Sequence, residues 1–76
     1  MEKAYILLSC EIGEEHDLAF RLRAIDEIKG VLITFGEYDI VVEAETIDSD
    51  KMDELITSKI RKLDKIRSTI TLRVTN

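Results

Sequence analysis

The chain has no proline, no tryptophan, one cysteine and one histidine in 76 residues. A lone cysteine, Cys10, can neither close an internal disulfide nor supply a paired-cysteine metal or redox motif, which fits a reducing compartment. The lone histidine, His16, has no second histidine or cysteine near it in sequence. It sits among Glu14, Glu15 and Asp17, the setting of a solvated helix residue rather than of a metal ligand or general base. Long apolar runs are missing as well. The first, Ala4 to Leu8, is too short for the core of a secretion signal and far too short to cross a bilayer. A cytoplasmic chain that does not meet the membrane is the expectation. There is no nucleophile elbow, no phosphate-binding glycine loop, no dinucleotide fingerprint and no zinc-protease motif. An enzyme would have to work from carboxylates, tyrosine or serine alone. The expectation is therefore no catalytic residue, no metal and no cofactor. Positive charge is also short, with Lys+Arg 11 against Asp+Glu 16 and a net charge of −5. Nucleic acid binding needs clustered Lys and Arg to neutralise phosphates. The one basic run, Lys59, Arg61, Lys62, Lys65 and Arg67, has no interleaved aromatic residues and complements the carbonyl end of a helix. No direct DNA contact is expected.

What is present is a globular composition, 45% hydrophobic and 36% charged. The length allows one domain, residues 1–76. Folding alone, a chain of this size buries only about 60–65% of its unfolded surface. Association with further copies is the natural way to complete that burial.

Ala4 to Ile12 reads as a first strand, punctuated by Gly13. Leu18, Leu22 and Ile25 then recur at helical spacing behind an acidic first turn, which predicts a helix from Glu14 to about Ala24. Phe20 and Ala24 fall opposite that stripe and form a second apolar spot. Ile28 to Phe35 is rich in β-branched and aromatic residues, Gly36-Glu37 predicts a tight turn, and Tyr38 to Glu45 returns antiparallel. Asp48, Ser49 or Asp50 can cap a second helix with the stripe Met52, Ile56, Ile60 and Leu63, widened by Leu55. In the last strand, Ile66 to Val74, Ile66, Ser68, Ile70, Leu72 and Val74 alternate with Arg67, Thr69, Thr71 and Arg73.

The order β-α-β-β-α-β is that of the ferredoxin-like α+β fold, a four-stranded antiparallel sheet with two helices on one face. The first three strands carry apolar residues on both parities, Tyr5 and Leu7 beside Ile6 and Leu8, Leu32 beside Val31 and Ile33, Val41 beside Ile40 and Val42. A half-solvated sheet reads as a cleaner alternation. The sheet face away from the helices is therefore expected to be covered by a second subunit. Gly36-Glu37-Tyr38-Asp39 stands out chemically. Glycine supplies a turn position of positive φ and lets another molecule approach the backbone, while a carboxylate just after the turn can pair with an ammonium group. A plain hairpin turn explains the same residues, and from them alone both readings stay open.

The run Val31-Leu32-Ile33-Thr34-Phe35-Gly36-Glu37-Tyr38-Asp39-Ile40-Val41-Val42 is similar to the strand, Gly-x-Tyr/Phe-Asp turn and return strand of the effector-binding (RAM) domain of Lrp/AsnC transcription regulators. Ile66-Arg67-Ser68-Thr69-Ile70-Thr71-Leu72 resembles the closing strand of that domain. The resemblance spans essentially the whole chain. Two positions depart from it: Ser68 stands where arginine is frequent, and Asp26 where proline is common. The resemblance implies dimers built through sheet faces, assembled further into larger oligomers, with small effectors, usually amino acids, held in clefts between dimers. It places Gly36, Tyr38, Asp39, Thr69 and Thr71 near such a cleft. Family regulators carry a helix-turn-helix domain before this one, whereas here the sequence opens on the first strand, as in stand-alone RAM proteins. The expectation is an oligomeric amino-acid-binding module that acts through a partner, such as a full-length regulator of the same family. A small dimeric enzyme of this fold and a purely structural assembly domain are the alternatives.

Overall fold

Branched apolar residues at every second position make the sheet, and the computed structural model describes all 76 residues. Strands β1 (Glu2–Cys10), β2 (Ile28–Ile33), β3 (Ile40–Thr46) and β4 (Ile66–Arg73) pair antiparallel in the order β2-β3-β1-β4. Helix α1 (Glu15–Arg23) joins β1 to β2. Helix α2 (Ser49–Glu54) follows β3 and runs on into a π-helical stretch, Leu55–Ile60. This is the ferredoxin-like arrangement. Ala4, Ile6, Leu8 and Cys10 of β1, with Val31, Ile40, Val42 and Ala44 beside them, meet Leu18, Ala19 and Leu22 of α1 and Met52, Leu55, Ile56 and Ile60 of the second helix in one buried cluster. Both helices thus cover the same face of the sheet.

The helices form where their local chemistry favours them. In α1, Glu15 and Asp17 lie in the first turn and Arg21 and Arg23 in the last, each sign matching the helix dipole. Asp48 caps α2, its carboxylate accepting the Lys51 N–H at 2.9 Å. The π turn closes with the Arg61 N–H donating to the Ile56 carbonyl at 3.0 Å. This wider turn keeps both Leu55 and Ile56 on the buried side with Ile60. Ile25 and Leu63, expected in the helical stripes, lie beyond the helix ends and pack on the core half-buried.

Three boundaries differ from the sequence reading. β1 ends at Cys10, and Ile12 lies beyond it, 97% exposed. The cause is Asp39, whose carboxylate takes the Cys10 N–H at 2.9 Å in place of a strand partner, after which the Glu14 N–H turns back to the Glu11 carbonyl. The hairpin is not a tight two-residue turn. Ile33 pairs with Ile40, leaving Thr34 to Asp39 as a loop. The Thr34 N–H donates to the Asp39 carbonyl at 2.8 Å and the Thr34 hydroxyl to the Tyr38 carbonyl at 2.7 Å. These bonds draw Thr34, Tyr38 and Asp39 into the loop and stop both strands early. Phe35, expected in β2, stands fully exposed.

β4 shows the most informative placement. Its register shifts between Ser9, which faces Ser68, and Cys10, which faces Ile66. The shift lets Ile66 join the core while Ile70 and Leu72 point away from it. Thr69, Thr71 and Arg73 pair with Leu8, Ile6 and Ala4 and so face the helix layer. An edge strand that turns threonines inward and leucine and isoleucine outward is inverted for a lone subunit.

Candidate functional site

The end of the sheet that carries the β2–β3 loop brings most of the expected residues together. Asp39 is half-buried, its N–H donating to the Leu8 carbonyl at 2.8 Å and its Oδ2 accepting from the Cys10 N–H. The carboxylate is therefore fixed at the end of β1 through one oxygen, while the other can meet an incoming donor. Gly36 has φ +152°, and a Cβ placed there would meet nothing within 4 Å. The glycine is needed for the backbone path, and the space above it is open. Tyr38 is half-buried at the base of the loop, held by the Thr34 hydroxyl through its carbonyl.

Thr69 pairs with Leu8 from the other side. It stands two strand spacings from Asp39, roughly 10 Å away. Thr71 lies farther along β4 opposite Ile6, and its hydroxyl is buried with no hydrogen-bond partner. On the same face, Arg73 bonds to Ser49 and Asp53 of α2. The structure thus groups Gly36, Tyr38, Asp39 and Thr69 at one end, with Thr71 set back under the helix layer.

The electrostatics of this end were not apparent from spacing. The Cys10 thiol is pushed up from 9.0 to about 11, first by burial and then by the negative charge of Asp39 and Glu15. Glu15 has one carboxylate oxygen buried with no partner. This corner of the molecule is electronegative and short of donors, a setting that stabilises a cation. Cys10 itself is buried and its thiol resists ionisation, the setting of an inert core thiol. Ile12 and Phe35, both exposed, flank the corner as apolar side chains without a partner in the chain. No sequence motif announces Asp39 and Glu15 as neighbours of Cys10. The only available signal was the chance that a carboxylate after the turn would reach the end of β1.

The two hollows of the chain lie elsewhere. One, of about 390 Å³, is at the opposite end of the sheet among Asp26, Lys29, Glu45, Ile47 and Lys51. The other, of about 260 Å³, opens on the helix-free sheet face. Asp39 borders neither.

The family model of the Lrp/AsnC ligand binding domain matches residues 3–76. The chain belongs to this family. Among solved structures, a hypothetical protein, PHS023 from Pyrococcus horikoshii, is 36% identical with a TM-score of 0.95, over 100% of this chain and 92% of that one. The structure of FFRP-DM1 is also 36% identical, with a TM-score of 0.96, over 99% of this chain and 100% of that one. A transcriptional regulator from Neisseria meningitidis, NMB0573, solved as a complex with L-Met, shares the fold at 16% identity and a TM-score of 0.84, and this chain covers 50% of its length. Among curated proteins none matches the sequence. The Lrp/AsnC domain is a regulatory effector-binding module, and the turn Gly36 to Asp39 lies in it as an accessible, structured loop. No helix of the chain is long and apolar enough to cross a membrane.

Proposed function

We propose that this Lrp/AsnC domain binds a free amino acid, or a close metabolite, at the Asp39 end of the sheet, in a site completed by a second subunit. The observation that carries the proposal is the Asp39 carboxylate, anchored through Oδ2 to the Cys10 N–H in an electronegative corner. An α-amino acid presents an ammonium group and a carboxylate. Asp39 is the partner for the ammonium, the loop backbone around Gly36 offers N–H groups to the carboxylate, and Tyr38 and Thr69 belong to the same end of the sheet. Thr71 is assigned a supporting place behind Thr69. The regulator solved with L-Met supports an amino acid as the ligand class.

Two features support an oligomer. β4 turns Ile70 and Leu72 away from the core, and the exposed Phe35 and Ile12 rim the Asp39 corner where no cavity exists in the single chain. A second subunit over the sheet covers the first pair. Another at the loop end closes the corner and excludes water from the ammonium–carboxylate contact. The chain then acts in the cytoplasm through a protein partner, a regulator of its own family, without catalysis and without touching DNA itself.

A thermal-shift screen of the common amino acids tests the proposal. At least one stabilises the protein saturably, since a ligand at a hundred times its Kd adds about 2.7 kcal/mol to the folded state. If neither an amino acid nor a close metabolite shifts the transition, the chain is an assembly domain and the proposal fails.

A further inference from the structure

The four ion pairs of the chain are Lys3–Glu43, Arg21–Asp17, Lys59–Glu27 and Arg73–Asp53. None of them lies at the Asp39 end of the sheet. Glu14 and Glu15 at the start of α1 and Asp39 in the β2–β3 loop come together there from two separate elements, each close enough to the Cys10 thiol to help hold its proton on. Asp17, two residues further along the helix, has Arg21 at 3.2 Å. Glu15 has no such partner, and one of its carboxylate oxygens is buried without a donor. Lys65 reaches this end through its carbonyl, which takes the Glu11 N–H at 2.9 Å, and its ammonium pairs with none of the three carboxylates.

The balance of charge decides which amino acid suits such a corner. One with a neutral side chain brings a single ammonium and a single carboxylate. Its ammonium answers Asp39, its carboxylate adds a negative charge, and Glu15 stays without a partner. An acidic amino acid adds a second negative charge. An amino acid of the lysine or arginine type is cationic as a whole and carries its second positive group at the far end of the side chain, so both carboxylates are met. Partly buried charges are screened by salt much less than exposed ones, so a ligand of the wrong charge is discriminated against here more strongly than on an open surface. The stem of a cationic side chain is apolar and lies along apolar surface while its head stays with polar partners. Ile12 and Phe35, exposed and flanking the corner, supply that surface.

We propose that the ligand of the Asp39 end is an amino acid with a cationic side chain, its α-ammonium on Asp39, its methylene stem along Ile12 and Phe35, and its side-chain cation on Glu15. The inference rests on the amino-acid reading above and adds the class of side chain and the residue that selects it. Glu15 is then a specificity-determining residue, since it meets the part of the ligand by which amino acids differ.

Calorimetric titration of the full chain with L-lysine, L-arginine and L-norleucine tests it. Norleucine has the carbon chain of lysine without the terminal amino group. Lysine or arginine binds at least ~10-fold more tightly than norleucine to wild type. In Glu15→Gln, which keeps the shape of the side chain and removes its charge, that advantage shrinks to within about 3-fold. Glu54→Gln removes a charge at the opposite end of the sheet and keeps the advantage. Circular dichroism checks that both variants are folded, and the comparison of ligands on wild type decides the class of side chain whether or not they are. Norleucine binding as tightly as both cationic amino acids, or a screen that finds only neutral or acidic ligands, overturns this inference and leaves the amino-acid reading standing. A cationic preference that survives in folded Glu15→Gln overturns the role of Glu15. No response to any amino acid overturns the amino-acid reading itself and this inference with it.

Discussion

Asp39 has two duties that pull on different atoms. Its Oδ2 ends β1 by taking the Cys10 N–H, and its charge makes the corner attractive to a cation. The two separate on substitution. Asp39→Asn keeps an acceptor oxygen for the Cys10 N–H and loses the charge, so it keeps its melting temperature to within a few degrees. Asp39→Ala orphans that N–H at a cost of about 1–3 kcal/mol, which in a chain of this size lowers the melting temperature by roughly 4–8 °C per kcal/mol. Calorimetric melting of both variants reads the difference, and equal melting temperatures would release Asp39 from its structural duty. Cys10 gives a second residue-scale outcome. Burial and the neighbouring carboxylates hold its proton until about 11 in the folded chain, against 9.0 for an ordinary thiol. A raised folded-state pKa leaves stability intact below pH 9 and loses it as pH rises from there through about 11. In urea unfolding across that window, Cys10→Ala therefore falls less steeply than wild type. Parallel slopes would contradict the assignment.

At the scale of elements, the caps and turns decide where each segment stops. Removing the Asp48 side chain as Asp48→Ala frees the Lys51 N–H and costs about 1 kcal/mol, read as a lowered urea midpoint with unchanged slope. Lys65 holds φ +76° in the turn before β4, with its carbonyl accepting the Glu11 N–H at 2.9 Å. A non-glycine residue there carries about 1 kcal/mol of strain, so Lys65→Gly is neutral or stabilising, where glycine elsewhere in a loop would destabilise. A clear loss of stability in Lys65→Gly would show that the lysine side chain has a role of its own. The order of elements was legible in the sequence, as was a cap for α2 among Asp48, Ser49 and Asp50, because both rest on local periodicity and on a side chain acting within one turn. The ends of β1 and of the hairpin were not. They are set by Asp39 reaching Cys10 and by Thr34 reaching Tyr38, contacts that no local pattern encodes. The bulge at Ser9 and Cys10 was hidden for the same reason. It moves Ile66 to the face opposite Ile70, although the two share a parity in sequence.

The whole molecule presents two unfinished surfaces. One is the open sheet face, whose mixed parity in β1 to β3 was legible in the sequence. The other is the Asp39 end, of which the sequence showed the glycine turn and the carboxylate but not the electronegative surroundings of Cys10 and Glu15. Covering the sheet face is an association matter. Ile70→Asp, which places a charge on the outward apolar side of β4, converts the protein to a folded monomer in light scattering coupled to size exclusion. Completing the Asp39 end is, in the proposed function, a matter of ligand binding.

The account stands most directly on calorimetric titration of an amino acid, chosen by the thermal-shift screen, onto wild-type protein and onto Asp39→Asn at equal oligomeric state. It predicts saturable binding to wild type and a loss of about 1.5–3 kcal/mol in the variant, the worth of a charge-assisted hydrogen bond. Equal affinity in the two proteins would contradict it and move the ligand, if there is one, away from the Gly36 to Asp39 turn.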